Sequence, residues 1–344
     1  MNEIRTIEPF IRLGERLAEE LLDGTIEPVI RRSEAENPWF SRANVVSAIQ
    51  AICTDMLDGR NLGSWLARYP AAGRPSDETV GIVMAGNIPL VGFFDLLCVL
   101  ICDRRCLIKP SSKDRVLIGH IVDLLREIEP RFSIGALEGK VPDRLIASGS
   151  DEARRHFASV YPDTPSLLRG HRYSVAVLSG QESDRQLDGL YDDVFSYFGL
   201  GCRNVSRIFV PRGYDLRRLC RRLSARPITH TGYLNNYRQA RAMRLLNGTE
   251  FIDGGFFLMR PGADKEGPLS EIACTSYESV GSVERLLRER DREIQCVVSA
   301  TLDHPRRVDF GQAQHPSLTD YPDGIDVMEF LLAGSPAPAD RRQL

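Results

Sequence analysis

The chain has 344 residues, 42% of them hydrophobic, and its 44 Lys and Arg nearly balance its 47 Asp and Glu. A chain of that length and apolar content buries a sizeable core, which excludes a disordered or fibrous protein and predicts two domains or one large α/β unit. The near-balance of charge gives no reason to expect nucleic acid or an anionic membrane as partner, so the ligand has to be read from local sites.

In chain order, apolar residues at Ile4, Ile7, Phe10, Ile11, Leu13, Leu17, Leu21 and Leu22 recur at helical spacing and predict an amphipathic helix. Glu3, Arg5, Glu8, Arg12, Glu15 and Arg16 interrupt that run, which excludes a secretory signal and predicts a cytoplasmic protein. Asn44 to Tyr69 also reads as helical, and the turn-forming stretch Ala71 to Glu78 closes an N-terminal helical region over 1–75. From Gly81 to Cys102 the only formal charge is Asp95, and roughly 20 apolar residues suffice to span a bilayer. Asn87, Pro89 and Asp95 interrupt the run, and an ionised Asp near the centre costs about 2.5 to 3.5 kcal/mol, so a buried strand followed by a buried helix is the better reading.

Short apolar runs at Val80 to Met84, Cys106 to Lys109, Leu145 to Ser148 and Ser174 to Leu178 alternate with helical segments at Leu90 to Ile101, Arg115 to Glu127 and Glu152 to Tyr161. That alternation predicts a parallel, doubly wound nucleotide-binding domain over 76–186. A second α/β domain over 187–308 takes strands at Arg207 to Val210, Gly255 to Met259, Glu271 to Tyr277 and Ile294 to Ser299. Residues 309–332 are expected to dock back on the body, and 333–344 to form a loose tail.

Eight cysteines stand at positions 53, 98, 102, 106, 202, 220, 274 and 296, without a C-x-x-C pair or a spacing that suggests disulfides or zinc. No metal is expected. Cys98, Cys102 and Cys106 follow at four-residue intervals and read as core. Cys202 differs, because Gly199 and Gly201 let its backbone approach a ligand or adopt positive φ, as a presented nucleophile requires. A thiol suits acyl transfer, since a few per cent is already thiolate near neutral pH. A small buried cysteine is the alternative reading of the same loop.

Asn87 follows Gly86 at the end of the first predicted strand, where its amide can stabilise an oxyanion or simply shape the strand-to-helix turn. Lys109 ends the next strand in Lys109-Pro110-Ser111-Ser112-Lys113, a cationic, hydroxyl-rich loop suited to a ribose and phosphates. In Ser148-Gly149-Ser150, Ser150 can begin a helix whose free N–H groups favour a pyrophosphate. Each loop on its own is also an ordinary turn or helix cap. His230 is a candidate proton donor, or a structural hydrogen-bonding group.

Taken in order, Gly86-Asn87-Ile88-Pro89, Ile108-Lys109-Pro110-Ser111, Ser148-Gly149-Ser150 and the glycine-flanked Cys202 resemble the aldehyde dehydrogenase superfamily. Gly170-His171-Arg172, Gly201-Cys202-Arg203-Asn204, and Phe310-Gly311 leading to Met328-Glu329-Phe330 resemble the LuxC-type acyl-CoA reductase family, and the likeness runs from Trp39-Phe40 to Leu332. The resemblance implies an aldehyde dehydrogenase-like fold, Cys202 as nucleophile, Asn87 and the Cys202 backbone N–H as oxyanion donors, Lys109 as cofactor ligand, and the loop with Gly149 and Ser150 near the pyrophosphate. Aldehyde-oxidising relatives carry a glutamate shortly before a Gly-Gly pair, where this chain reads Leu167-Leu168-Arg169-Gly170-His171, so the base that would activate water is missing. NAD-preferring relatives often place a carboxylate three residues beyond the lysine, where this chain has Ser112 followed by Lys113, which favours NADPH over NADH. The implied reaction is reduction of a fatty acyl thioester, on CoA or an acyl carrier protein, to the aldehyde. An acyl-activating partner enzyme and a homodimer are compatible with the resemblance. Two rival readings are NAD-dependent aldehyde oxidation and a non-catalytic protein of the same fold that binds an acyl carrier or another enzyme.

Overall fold

The computed structural model describes residues 2–263 and 265–333. In chain order the elements are helices α1 (Asn2–Asp23), α2 (Glu27–Glu36), α3 (Arg42–Ala51) and α4 (Gly59–Leu66), then β1 (Thr79–Val83), α5 (Phe93–Ile101), β2 (Arg105–Lys109), α6 (Arg115–Ile128), β3 (Ile134–Ala136), β4 (Arg144–Ser148), α7 (Asp151–Val160) and β5 (Ser166–Arg169). They continue with β6 (Tyr173–Val177), α8 (Asp184–Phe195), β7 (Val205–Pro211), α9 (Leu216–Leu223), α10 (Thr231–Leu246), β8 (Ile252–Asp253), β9 (Leu258–Pro261), β10 (Glu271–Tyr277), α11 (Val280–Glu289), β11 (Ile294–Val298), β12 (Arg307–Val308) and α12 (Val327–Leu332).

The chain divides into two compact units, one of residues 1–36, 45–170 and 317–344, the other of residues 37–44 and 171–316. The first holds a parallel sheet in the order β3-β2-β1-β4-β5. Consecutive strands move outward from β1 in one direction and then, from β4, in the other, so the order reverses beside β1, where doubly wound sheets open a ligand crevice beyond their carboxyl ends. The run from Gly81 to Cys102 is resolved as β1 and α5: every residue of α5 is buried, which explains its hydropathy without a membrane. Among the described residues no helix is long and apolar enough to cross one.

The helical stretch expected from Asn44 to Tyr69 is α3, a π turn over Ile52–Met56 and α4, which Asp58 caps through the Arg60 and Asn61 amides. A hydrogen bond between His120 Nε2 and Glu20 Oε2 (2.7 Å) and an ion pair between Arg115 and Glu36 (2.7 Å) bind the N-terminal helices to α6. The segment after Ser317 lies in the first unit: Tyr321 accepts from Trp65 Nε1 (2.9 Å), Arg144 donates to the Phe330 carbonyl (2.8 Å), and Met328 is buried with its sulfur 3.7 Å from Cys102 Sγ. The tail expected after Ala333 lies outside the described residues.

The second sheet runs β12-β11-β6-β7-β10-β9-β8, parallel except for the β8–β9 pair. The strand expected at Ser174 to Leu178 in the first sheet is β6 of this one, paired with β7 and β11. Its five buried residues mark a strand covered on both faces, a pattern that says nothing about which sheet it joins. The strand expected from Gly255 starts later, at Leu258, because Gly254 to Phe257 closes a turn in which the Gly254 N–H donates to the Phe257 carbonyl. Helices α8, α9 and α10 contribute to one apolar cluster on this sheet, and α11 to a second with Tyr173, Val175 and Ile294.

Candidate functional site

In the first unit three loops emerge from the carboxyl ends of the adjacent strands β2, β1 and β4, and they carry Lys109 and Ser112, Asn87, and Gly149 and Ser150 in turn. The loops after β1 and β2 meet at Gly86, where a Cβ would lie 2.4 Å from Ser111 Oγ, so only glycine permits this approach. Beyond Asn87 the backbone turns through Leu90 at φ 58°, an unfavourable value for a bulky side chain. The Leu90 N–H donates to Asp114 Oδ2 (2.8 Å). Burial pushes the Asp114 carboxyl up to about 8, the Leu90 N–H opposing, and Oδ1 is buried without a partner. Asp114 was not singled out from the sequence; a lone aspartate before a helix reads as an exposed cap, and only its burial reveals the support.

Lys109 is exposed, with Nζ 5.9 Å from the centre of the Phe157 ring on α7, and Ser112 is exposed beside it. Ser150 caps α7, its Oγ accepting from the Ala153 N–H (3.2 Å). The first turn of α7 carries Asp151 and Glu152, whose charges already compensate the positive helix end that a pyrophosphate would use. At the end of β5, Arg169 donates to both Asp95 oxygens (2.9 and 2.7 Å) and to Ser148 Oγ (3.2 Å). Its Nε and Nη2 are buried without acceptors, two idle donors beside the Ser148 loop. A lysine, a hydroxyl-lined loop and a capped helix at neighbouring strand ends fit the ribose and adenosine side of a dinucleotide; the carboxylates of α7 fit its phosphates less well.

In the second unit, α8 ends at Phe195, and Tyr197 (φ 51°), Phe198 (φ 58°) and Gly199 (φ 75°) turn the chain in successive left-handed conformations before Cys202. For the two non-glycine residues such a backbone costs on the order of 1–2 kcal/mol each. Strain of this kind persists only where the surroundings hold it, and it concentrates at functional loops. Here the holding groups are neutral and buried: Asn204, which bonds to Gly201 and to the end of α8, and Ser174, whose Oγ donates to the Cys202 carbonyl (2.9 Å). Arg203 Nε donates to the Ala313 carbonyl, so its guanidinium is engaged in holding a neighbouring loop. Asp193 on α8 accepts from the Gly311 (2.7 Å) and Ala313 (2.9 Å) N–H groups, and burial pushes its carboxyl up to about 6 against those two donors.

Cys202 alone among the eight cysteines is exposed; Cys53 is half-buried and the other six are buried. Burial pushes the thiols of Cys102 and Cys274 up to about 12 and that of Cys53 to about 11. His230 caps α10: Nδ1 accepts from the Tyr233 N–H (3.2 Å), so Nε2 carries the proton and donates to the Pro38 carbonyl (3.0 Å). The ring stacks on Phe198 (4.5 Å) and lies 4.7 Å from Trp39. Both nitrogens are thus occupied by backbone, which favours the structural alternative for this histidine. Phe93, Phe94, Phe256 and Phe257 are all buried in the core. Asn87 belongs to the first unit, Cys202 and His230 to the second.

No known family profile matches the chain, and no curated protein matches it in sequence. Solved structures do match in fold. The indole-3-acetaldehyde dehydrogenase AldA of P. syringae, solved with NAD+ and IAA, aligns with TM-score 0.65 at 12% identity over 89% of this chain and 74% of its own. An aldehyde dehydrogenase of Mycobacterium tuberculosis complexed with NAD+ aligns with TM-score 0.64 at 14% identity over 88% and 74%. The aldehyde dehydrogenase KauB of Pseudomonas aeruginosa aligns with TM-score 0.64 at 13% identity over 89% and 73%. The chain has the aldehyde dehydrogenase fold.

Proposed function

We propose that the chain is a LuxC-type acyl-CoA reductase that converts a fatty acyl thioester to the aldehyde with NADPH, through an acyl-enzyme on Cys202. The observation that carries this reading is the presentation of Cys202, an exposed thiol on a strained loop held by buried polar groups, while every other cysteine is withdrawn. The Cys202 thiolate attacks the thioester carbonyl, the carbon–sulfur bond to the carrier breaks, and the carrier leaves as a thiol. Asn87 and the Cys202 backbone N–H serve as oxyanion donors. Lys109 and Ser112, with the loop of Gly149 and Ser150, hold the dinucleotide, which when bound supplies hydride to the acyl carbon. The carbon–sulfur bond to Cys202 then breaks and the aldehyde departs.

The place matching the water-activating glutamate of oxidising relatives is the end of β5, where Arg169 is paired with Asp95 and Leu167 and Leu168 are apolar. With no glutamate there and the Asp95 carboxylate held by Arg169, water is poorly activated and the acyl-enzyme persists for reduction or exchange with a thiol. Solved neighbours complexed with NAD+ favour a second reading, NAD-dependent aldehyde oxidation, and make NADH the alternative reductant.

The test follows the absorbance of NADPH, and in parallel NADH, with purified protein and acyl-CoAs from short to long, then with acyl carrier protein thioesters. Thioester-dependent oxidation is expected, reduced about 10³-fold or more in Cys202→Ala with the fold retained. A fully active Cys202→Ala enzyme overturns the mechanism. Silence with every thioester, alongside aldehyde-dependent reduction of NAD+, selects the oxidative reading; silence in both directions selects the non-catalytic partner.

A further inference from the structure

Asn204 follows Cys202 by two residues and is 4% exposed. Its Nδ2 donates to the carbonyls of Asp193 (3.2 Å), Val194 (3.3 Å) and Ser196 (2.9 Å), the groups a helix end leaves without internal partners. Its Oδ1 accepts from the Gly201 N–H (2.8 Å), and its own N–H donates to the Gly201 carbonyl (3.1 Å). One side chain therefore fixes both ends of the left-handed run Tyr197 to Gly199. On the other side of Cys202, buried Ser174 donates to the Cys202 carbonyl and accepts from the Cys296 N–H (3.1 Å). The Asn204 side chain thus ties the peptide between Leu200 and Gly201, and Ser174 the peptide between Cys202 and Arg203, so the peptide that carries the Cys202 N–H is held between two buried, uncharged groups.

We propose that Asn204 and Ser174 are positioning residues for Cys202, holding the peptides on either side of the one that carries its N–H so that this N–H faces the oxygen of an acyl group under attack. The proposal rests on Cys202 being an acyl-accepting nucleophile, and it needs neither the reductant nor the natural carrier. Without either strut the thiol stays exposed and reactive, but the N–H loses its aim, so a reaction that builds an oxyanion suffers while one that does not is spared. Misplacement by about 1 Å is enough to cost about 100-fold.

The experiment compares two reactions of the thiol in the full-length protein, with Cys202→Ala as blank. Acylation by p-nitrophenyl acetate is read as the burst of nitrophenolate, and alkylation by iodoacetamide as the mass increment on Cys202. Asn204→Ala is expected to slow acylation about 100-fold, and Ser174→Ala about 10-fold, with alkylation within about threefold of wild type in both. Equal slowing of both reactions, no slowing, or a wild-type burst no faster than that of a free thiol overturns the proposal. Should Asn204→Ala fail to fold, Ser174→Ala decides by the same split. A burst that shows the split, in a protein silent towards every acyl thioester and NADPH, removes the reductase reading while leaving the positioning role standing.

Discussion

Asp114 and Asp193 are each 1% exposed, and each supports a loop beside a residue assigned to the chemistry, yet burial pushes the first up to about 8 and the second only to about 6. The difference lies in the donors. Asp193 meets two N–H groups, one on each oxygen, whereas Asp114 meets the Leu90 N–H alone and leaves Oδ1 unpartnered. A carboxylate taken out of water recovers part of the lost solvation with each N–H aimed at it, so equal burial gives unequal acidity. The Asn87 loop therefore rests on a group protonated at neutral pH, and the loop around Gly311 on one that is mainly ionised there.

The largest expected effect comes from Asp193→Asn. Its amide NH₂ has to face one of two N–H donors, leaving a buried donor unsatisfied, at about 1–3 kcal/mol. Calorimetry at pH 7.5 should show the second unit's Tm lowered by several degrees, at about 2–4 °C per kcal/mol. An unchanged Tm would mean that the two N–H groups are not the cause of the lower value.

Asp114→Asn should act in the opposite direction. Because the folded-state value lies above the ordinary 3.8, the folded chain keeps the proton longer than the unfolded one. This group's contribution to stability is complete below that ordinary value and declines as pH rises through about 8. Asparagine mimics the protonated form, and its NH₂ can occupy the place of the idle Oδ1. The variant should match wild type near pH 4 and exceed its Tm by about 3 °C or more at pH 8. A variant less stable than wild type at pH 8 would show that the carboxylate is ionised and paired.

The smallest effect is expected at His230, which separates support from chemistry in the second unit. His230→Ala removes a helix cap and a stacked ring, at about 1 kcal/mol, and should leave turnover within about threefold. A loss of about 100-fold with Tm unchanged would restore the ring as a proton donor.

Much of the parallel-strand pattern was legible in the sequence, because short runs rich in apolar and β-branched residues between turn and helix signals mark strands: β1, β2, β4, β10 and β11 fall within a residue or so of their expected positions. Gly199 before Cys202 was legible for a local reason too, since its positive φ selects for glycine, whereas Gly201 does not use that freedom. Short edge strands such as β3, β8 and β12 left no such signature.

What the sequence by itself determined is therefore local: which segments are strands, where the loops after β1, β2 and β4 emerge, and that Cys202 sits on a glycine-rich turn. Only the tertiary structure decided that β6 joins the second sheet, that Arg169 pairs with Asp95 at a separation of 74 residues, and that Asn204 closes on the end of α8. It also decided that Asp114 is buried and His230 spoken for at both nitrogens. Periodicity reports whether a residue faces the core, whereas the identity of a polar partner depends on which distant segment the fold brings against it.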